Sequence, residues 1–169
     1  MEKGAVLIMN ILIAYASKNG TTETCVHILE NDFNGQATLV DLTHTDPSPD
    51  AFDIILIGGP IRFGRLHSSV KKFMQNHLEE LKQKEVALFI CCGFVDDAEQ
   101  HIQNNFPLEL IEQAKIIDCF GGEIRKQELG IIEMFIANLA LKSRSIEDQP
   151  HILCDRIHLF AEQVKTTDL

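Results

Sequence analysis

The sequence is poor in basic residues, with 15 lysines and arginines against 25 aspartates and glutamates, and its formal net charge is −10. A nucleic acid needs clustered Lys and Arg to neutralise its phosphates, so this balance disfavours nucleic acid as a partner. It equally disfavours binding to an anionic membrane surface. An acidic surface is instead compatible with docking to a basic redox protein.

No two of the five cysteines have the CxxC spacing, which argues against a zinc site or a dithiol motif of that type. Their odd number, and the apolar segments around four of them, favour buried reduced thiols in a cytoplasmic protein. Adjacent Cys91 and Cys92 would point to opposite faces of a strand, so they are not placed to bond to each other. No Ser-His-Asp, metal-ligand or paired-carboxylate pattern stands out, and no metal is predicted.

No apolar run reaches the ~20 residues that a membrane-spanning helix requires. The N-terminal run KGAVLIMNILIAYA has two interpretations, a signal peptide or the first core strand. Lys3 is its only basic residue and is offset by Glu2, and signal cleavage would remove the strand, so we favour the strand. Residues 1–8 would then be an N-terminal extension before Met9.

Five short apolar runs separated by turn residues predict five strands in a chain of 169 residues, which is long enough for one domain with its own core. Three runs are nearly continuous Ile, Leu, Val and Phe, which is typical of parallel strands covered on both faces. The strands are predicted at 10–15, 37–42, 53–59, 86–92 and 115–122.

Apolar stripes at helical spacing lie between these runs and predict helices at 22–33, 67–84, 107–114 and 150–164. Ser68 or Ser69 is the predicted N-cap of the second helix, and Pro107 and Pro150 are predicted to open the last two. The alternation predicts an α/β fold, a doubly wound parallel sheet with helices on both faces, in a single domain over 1–169.

The loop ASKNGTT, which follows the first strand, has the chemistry of a phosphate site. Ligands of such folds bind beyond the carboxyl ends of the strands. The hydroxyls of Ser17, Thr21 and Thr22 can donate to phosphate oxygens, and a helix N-terminus attracts anions. Asn19 and Gly20 tolerate the positive φ that turns backbone amides inward. The loop is neither a Walker A nor a GxGxxG motif, and alone it is better explained as a capped turn.

Two further loops end at the same predicted edge, GGPIRFGRLH after the third strand and CGFVDD after the fourth. In the first, Pro60 would stiffen the turn, Phe63 offers an aromatic face, and Arg62 and Arg65 bring positive charge. The alternative is a surface loop with its phenylalanine turned inward and its arginines solvated. In the second, Phe94 either contacts a ligand or forms a hydrophobic cap on the next helix. All three loops together are more specific than any one of them.

The chain resembles the flavodoxin-like FMN-binding proteins over essentially its whole length. YASKNGTTET resembles the phosphate loop of that family. GGPIRFGRLHSSVKKFM is similar to the SIRYG…H segment of the menaquinone-dependent protoporphyrinogen dehydrogenases and of the small flavodoxin-domain proteins grouped with them, and FGGEI after the fifth strand fits the same group. The resemblance implies a five-stranded order 2-1-3-4-5 and FMN as the cofactor.

The resemblance also assigns roles to individual residues. It implies phosphate binding by Ser17, Lys18, Asn19, Gly20, Thr21 and Thr22. It implies flavin contacts by Pro60, Ile61, Arg62, Phe63, Gly64, Cys92, Gly93 and Phe94. Arg62 and His67 are the candidate catalytic residues, since a cation near the flavin stabilises its anionic reduced form and a histidine can move a proton at neutral pH. The alternative for His67 is that it caps or orients the loop.

The chain departs from the family pattern in two places. Electron-carrier flavodoxins usually stack Trp and Tyr on the flavin, but this chain has no Trp and its one Tyr is Tyr15, on the first strand. Phe63, with Phe94, would have to stack instead. The predicted insertion at 123–148 has little of the basic and aromatic character expected of the dehydrogenases. We expect its apolar stretch, 129–141, to pack on the domain or to form a homodimer face rather than to face a membrane or cover a substrate.

Two main functions follow from these features. The first is an FMN oxidoreductase that takes two electrons and protons from an organic substrate such as protoporphyrinogen and passes them to a quinone or another small-molecule acceptor. The alternative is an acidic flavodoxin that carries single electrons between proteins, and a weaker third is a binding module without flavin. Arg62 favours the enzyme, whereas the net charge of −10 favours the carrier.

Overall fold

The computed structural model describes residues 9–123, 130–142 and 150–166. The predicted N-terminal extension, residues 1–8, lies outside the described residues. So do residues 124–129 and 143–148 of the predicted insertion 123–148.

The strands form one sheet that confirms the predicted fold class. Five of them pair in parallel in the order β2-β1-β3-β5-β6, and the two-residue β4 pairs antiparallel with β3 at the side. With β4 set aside, this is the predicted order 2-1-3-4-5. The strands are β1 (Ile11–Tyr15), β2 (Ala37–Asp41), β3 (Ile54–Arg62), β4 (Arg65–Leu66), β5 (Glu85–Cys91) and β6 (Ile117–Cys119).

Helices cover both faces of the sheet, because side chains alternate along each strand and both faces are apolar. One buried cluster lies between the sheet and α1 and α7, and the other between the sheet and the helices α2 to α5. The helices described are α1 (Thr21–Asp32), α2 (Ser68–Asn76), α3 (Leu78–Leu81), α4 (Ala98–Asn105), α5 (Leu108–Gln113), α6 (Ile131–Lys142) and α7 (Cys154–Lys165).

Four predicted boundaries were wrong. The predicted helix 67–84 is two helices, and its N-cap is His67 rather than Ser68 or Ser69, because the His67 ring nitrogen accepts the N–H of Ser69 at 3.3 Å. The last helix begins at Cys154 rather than at Pro150, since the intervening Ile152 bridges to Gly121. The fifth long strand, predicted over 115–122, is limited to Ile117–Cys119.

The fourth error bears on the site. Strand β3 does not end at Gly59 as predicted but continues through Pro60 to Arg62. Pro60 therefore lies in the strand, opposite Cys91, rather than stiffening a turn. The segment predicted as a loop is thus the end of a strand and a tight hairpin.

Candidate functional site

A cavity of about 340 Å³ opens where β1, β3 and β5 end, at the edge predicted to bind a ligand. Its volume is within the range of small-molecule sites, ~300–1,000 Å³. Three stretches of chain that are far apart in sequence meet there. The cavity is lined by Lys18, Asn19, Thr21, Thr22, Pro60, Ile61, Arg62, Phe63, Gly64, Cys92, Gly93 and Phe94, which are all the predicted cofactor residues except Ser17 and Gly20.

Ser17 and Gly20 shape the first loop instead of lining the cavity. Gly20 is the N-cap of α1 and has a φ of 76°, a left-handed conformation that favours glycine. The hydroxyl oxygen of Ser17 accepts the N–H of Gly20 at 3.2 Å and the N–H of Glu23 at 3.4 Å. These bonds hold the loop folded over the first turn of α1, so that the helix N-terminus faces the cavity.

The two threonines that follow differ in what their hydroxyls do. Thr22 is buried, and its side chain lies close enough to the thiol of Cys91 to act on the pKa of that thiol, which it lowers against the raising effects of Cys25 and burial. The Oγ1 atom of Thr21 is also buried but has no hydrogen-bond partner among the described residues. A buried hydroxyl without a partner costs about 1–3 kcal/mol. The Thr21 hydroxyl is therefore the candidate donor to an anion bound at the start of the helix.

The tip of the β3–β4 hairpin carries a large exposed aromatic side chain. Phe63 and Gly64 have φ values of 50° and 74°, and Arg62 pairs with Arg65 across them. Positive φ at both central residues is the geometry of a type I′ hairpin turn, which favours Asn and Gly and is strained for a phenylalanine. The Phe63 side chain is nonetheless 65% exposed. Strain and exposure of this kind concentrate at ligand sites.

A buried asparagine holds this hairpin in place. Asn105, near the end of α4, accepts the N–H of Leu66 at 2.9 Å through its Oδ1. Its Nδ2 donates to the carbonyl oxygens of Gly64 at 2.9 Å and His101 at 2.8 Å. Since Asn105 is 8% exposed, these bonds fix the height of the hairpin tip above α4.

The third wall comes from the ends of β5 and β6. The Cys92 thiol donates to the carbonyl oxygen of Phe94 at 3.3 Å and so folds the turn that contains Gly93. A Cβ on Gly122 would lie 3.2 Å from the carbonyl carbon of Cys92. A glycine there lets the chain after β6 lie directly against the turn after β5.

Sequence reasoning missed six lining residues, which are Cys91, His101, Gly122, Glu123, Ile136 and Ala137. The FGGEI motif pointed to two of them, but nothing in the pattern marked His101. Its ring lies 4.0 Å from the position of a Cβ on Gly64, at the hairpin tip. His67 does not line the cavity and caps α2, so the structure gives the histidine at the cavity as His101. A catalytic role for His67 stays a prediction.

Helix α6 brings apolar side chains to the mouth of the cavity. Ile136 and Ala137 line it. Other apolar side chains of the same helix are exposed, with Ile131 at 91%, Phe135 at 71% and Leu139 at 64%. Within the described residues, no helix has the length and apolar content needed to cross a membrane. The homodimer through 129–141 stays a prediction, and Leu129 lies outside the described residues.

A family model described as a flavodoxin domain matches residues 12–149 of the chain. No curated protein matches the sequence. Among solved structures, oxidised flavodoxin 2 from Bacillus cereus is 21% identical, with a TM-score of 0.53 over 91% of this chain and 96% of that one. A Fusobacterium nucleatum flavodoxin bound to flavin mononucleotide is 15% identical, with a TM-score of 0.52 over 92% and 96%.

The match also extends to one much larger protein. The rubredoxin:oxygen oxidoreductase of Desulfovibrio gigas is 11% identical, with a TM-score of 0.52 over 91% of this chain. The chain spans only 34% of the length of that protein. At these identities the likeness to solved structures shows the fold.

Proposed function

The chain belongs to the flavodoxin domain family, and from this membership and the cavity we propose that it is an FMN-binding redox protein. Bound FMN supplies the transfer of one or two electrons. The flavodoxin domain and the FMN-bound structural neighbour support FMN as the cofactor.

One cavity joins two features that a protein core does not require. At one end the unpartnered hydroxyl of Thr21 lies at the N-terminus of α1, which suits a phosphate. At the other end the exposed ring of Phe63 stands at the rim, which suits a flat aromatic ligand. A flavin mononucleotide has both groups in one molecule. This pairing is the main support for the proposal.

Replacing Phe63 with alanine should weaken FMN binding about 2- to 10-fold, because aromatic stacking contributes roughly 0.5–1.5 kcal/mol beyond area burial. The bound flavin should also fluoresce more strongly, since the stacked ring no longer quenches it. Fluorescence titration of flavin-free protein with FMN measures both effects.

The control for this experiment is Leu108→Ala, which removes an apolar side chain that is 59% exposed outside the cavity lining. It should leave FMN affinity and fluorescence unchanged. Equal behaviour of Phe63→Ala and wild type would remove Phe63 from the flavin site. A failure of the wild-type protein to bind FMN would overturn the proposed function itself.

Within this function we favour an oxidoreductase related to the protoporphyrinogen dehydrogenases over a one-electron carrier. Arg62 lines the cavity, where its positive charge would favour the anionic reduced flavin. The apolar side chains of α6 at the mouth suit an organic substrate or a quinone acceptor more than a polar one. The net charge of −10 favours the carrier, which would dock to a basic redox protein.

A cytoplasmic location, which five free cysteines support, belongs to the same proposal.

Anaerobic stepwise reduction of the FMN-loaded protein, followed by its visible spectrum, separates the two functions. The oxidoreductase should be reduced mainly in one two-electron step, and a porphyrinogen or a quinone should exchange electrons with it. Arg62→Ala should lower the two-electron potential by about 20 mV, because a charge worth ~1 kcal/mol to the anion is lost. Arg65→Ala is the matched control, since Arg65 is exposed and does not line the cavity. Two well-separated one-electron steps without quinone reactivity would identify a carrier.

A further inference from the structure

Two cysteines that are far apart in sequence meet beside the cavity. The sulfur atoms of Cys92 and Cys119 are 3.3 Å apart, although the two residues are 27 positions apart in the sequence. Cys119 lies opposite Ile90 in the β5–β6 ladder, and Cys92 follows Ile90 by two residues, so both side chains point to the same face of the sheet. A disulfide needs a separation of ~2.05 Å, which the sulfurs reach by moving roughly an ångström closer.

Cys92 is the member of the pair that can be reached from the cavity. Cys92 lines the cavity and is 6% exposed, whereas Cys119 is 1% exposed and lines a separate pocket beside Asp118 and Arg156. A molecule held in the cavity therefore contacts Cys92 directly, while molecules in bulk water meet little of either sulfur. The other adjacent cysteine, Cys91, is buried in the opposite face of the sheet with Cys25.

We propose that Cys92 and Cys119 are a reversible dithiol–disulfide couple that exchanges two electrons with FMN bound in the adjoining cavity. In the oxidising direction both S–H bonds break and one S–S bond forms. The two electrons and one of the two protons pass to oxidised FMN, and the other proton passes to solvent. In the reverse direction, reduced FMN returns the two electrons and its proton, solvent supplies the second proton, and the disulfide opens to two thiols. The flavin half of this couple rests on the proposed function.

The chemistry within the pair gives the two sulfurs different roles. The Cys92 sulfur, 3.3 Å away, favours the thiolate of Cys119 and lowers the pKa of Cys119 to about 7, and a backbone hydrogen bond with Gly121 acts in the same direction. The hydrogen bond between the two sulfurs and burial raise the pKa of Cys92. Because a thiolate is the nucleophile in disulfide chemistry, Cys119 is the sulfur that attacks Cys92 when the S–S bond forms. Cys92 is the sulfur that lines the cavity.

The first test uses flavin-free protein, so that it does not depend on FMN binding. The protein is equilibrated in glutathione redox buffers from reducing to oxidising, free thiols are alkylated, and peptides are mapped by mass spectrometry. We expect a peptide linked through Cys92 and Cys119, reversed by excess reduced glutathione. Cys154→Ser is the matched control, because Cys154 is exposed and outside the pair, and it should form the same link. Absence of the link in wild type would overturn the couple.

The second test counts electrons. Oxidised, FMN-loaded wild type should take up about four electrons per flavin in an anaerobic dithionite titration, two for the flavin and two for the disulfide. Cys119→Ser should take up about two, and Cys154→Ser about four. An uptake of about two by wild type that carries the link would overturn the exchange with flavin. If FMN does not bind at all, the proposed function and the flavin half fail together, and the peptide map still decides whether the two cysteines form a couple.

Discussion

Replacing Thr21 with valine should weaken FMN binding by roughly 10- to 100-fold, the loss of one charge-assisted hydrogen bond of about 1.5–3 kcal/mol. Valine keeps the shape of threonine and removes the hydroxyl that has no partner among the described residues. Riboflavin lacks the phosphate, so its affinity should change little. Titration of flavin-free protein with each ligand gives the two dissociation constants.

The same substitution should not destabilise the flavin-free protein. Because a buried hydroxyl without a partner is costly, replacing it with a methyl group should leave the free energy of unfolding unchanged or higher. Thr24→Val is the matched control on the same helix, since the Thr24 hydroxyl donates to the carbonyl oxygen of Gly20 at 3.0 Å and is exposed. An equal loss of affinity for FMN and riboflavin in Thr21→Val would remove the phosphate assignment.

Replacing Asn105 with leucine should lower the free energy of unfolding of the flavin-free protein by about 2–4 kcal/mol. The side chain makes three hydrogen bonds, to Leu66, Gly64 and His101, and leucine of similar size leaves all three backbone groups without this partner. Urea denaturation followed by circular dichroism measures the change. FMN affinity should fall as well, because the hairpin that carries Phe63 loses its support.

Asn104→Leu is the control for this experiment, because Asn104 is the neighbouring residue on α4 and is exposed. Surface substitutions of this kind change stability by within about 0.5 kcal/mol. If both variants lose similar amounts of unfolding free energy, the effect comes from the helix rather than from the three hydrogen bonds of the Asn105 side chain, which we call the Asn105 clamp. Normal FMN binding by a destabilised Asn105→Leu protein would show that the hairpin is positioned by other contacts.

Much of the fold was predictable from the sequence because the hydrophobic periodicity of its strands and helices is clear. The runs around Ile13, Leu56 and Leu88 are apolar on both faces, and each is a buried strand of the parallel sheet. Boundaries were less predictable where tertiary contacts compete with local signals. Pro150 is a typical helix start, yet the chain first pairs Ile152 with Gly121 and turns into α7 only at Cys154.

The candidate site was predictable as a set of loops but not as a constellation of atoms. Sheet topology requires that the loops after β1, β3 and β5 share one edge, so twelve of the residues that line the cavity could be placed there from the sequence. The local pattern could not distinguish Thr21 from Thr22, because the difference lies in whether the hydroxyl meets Cys91. The pattern also did not indicate that His101, rather than His67, lines the cavity, because the sequence around a histidine does not show which part of the structure its side chain contacts.

The sequence by itself determined the α/β class, the approximate strand positions and the edge at which the cavity opens, because these depend on hydrophobic periodicity and chain order. Only the tertiary structure decided which side chains meet across that edge. The approach of Cys119 to Cys92 and the clamp of Asn105 on the hairpin join residues 27 and 39–41 positions apart. Such contacts depend on strand register and on how a helix lies against a turn, and these are set by packing of the whole domain rather than by any local pattern.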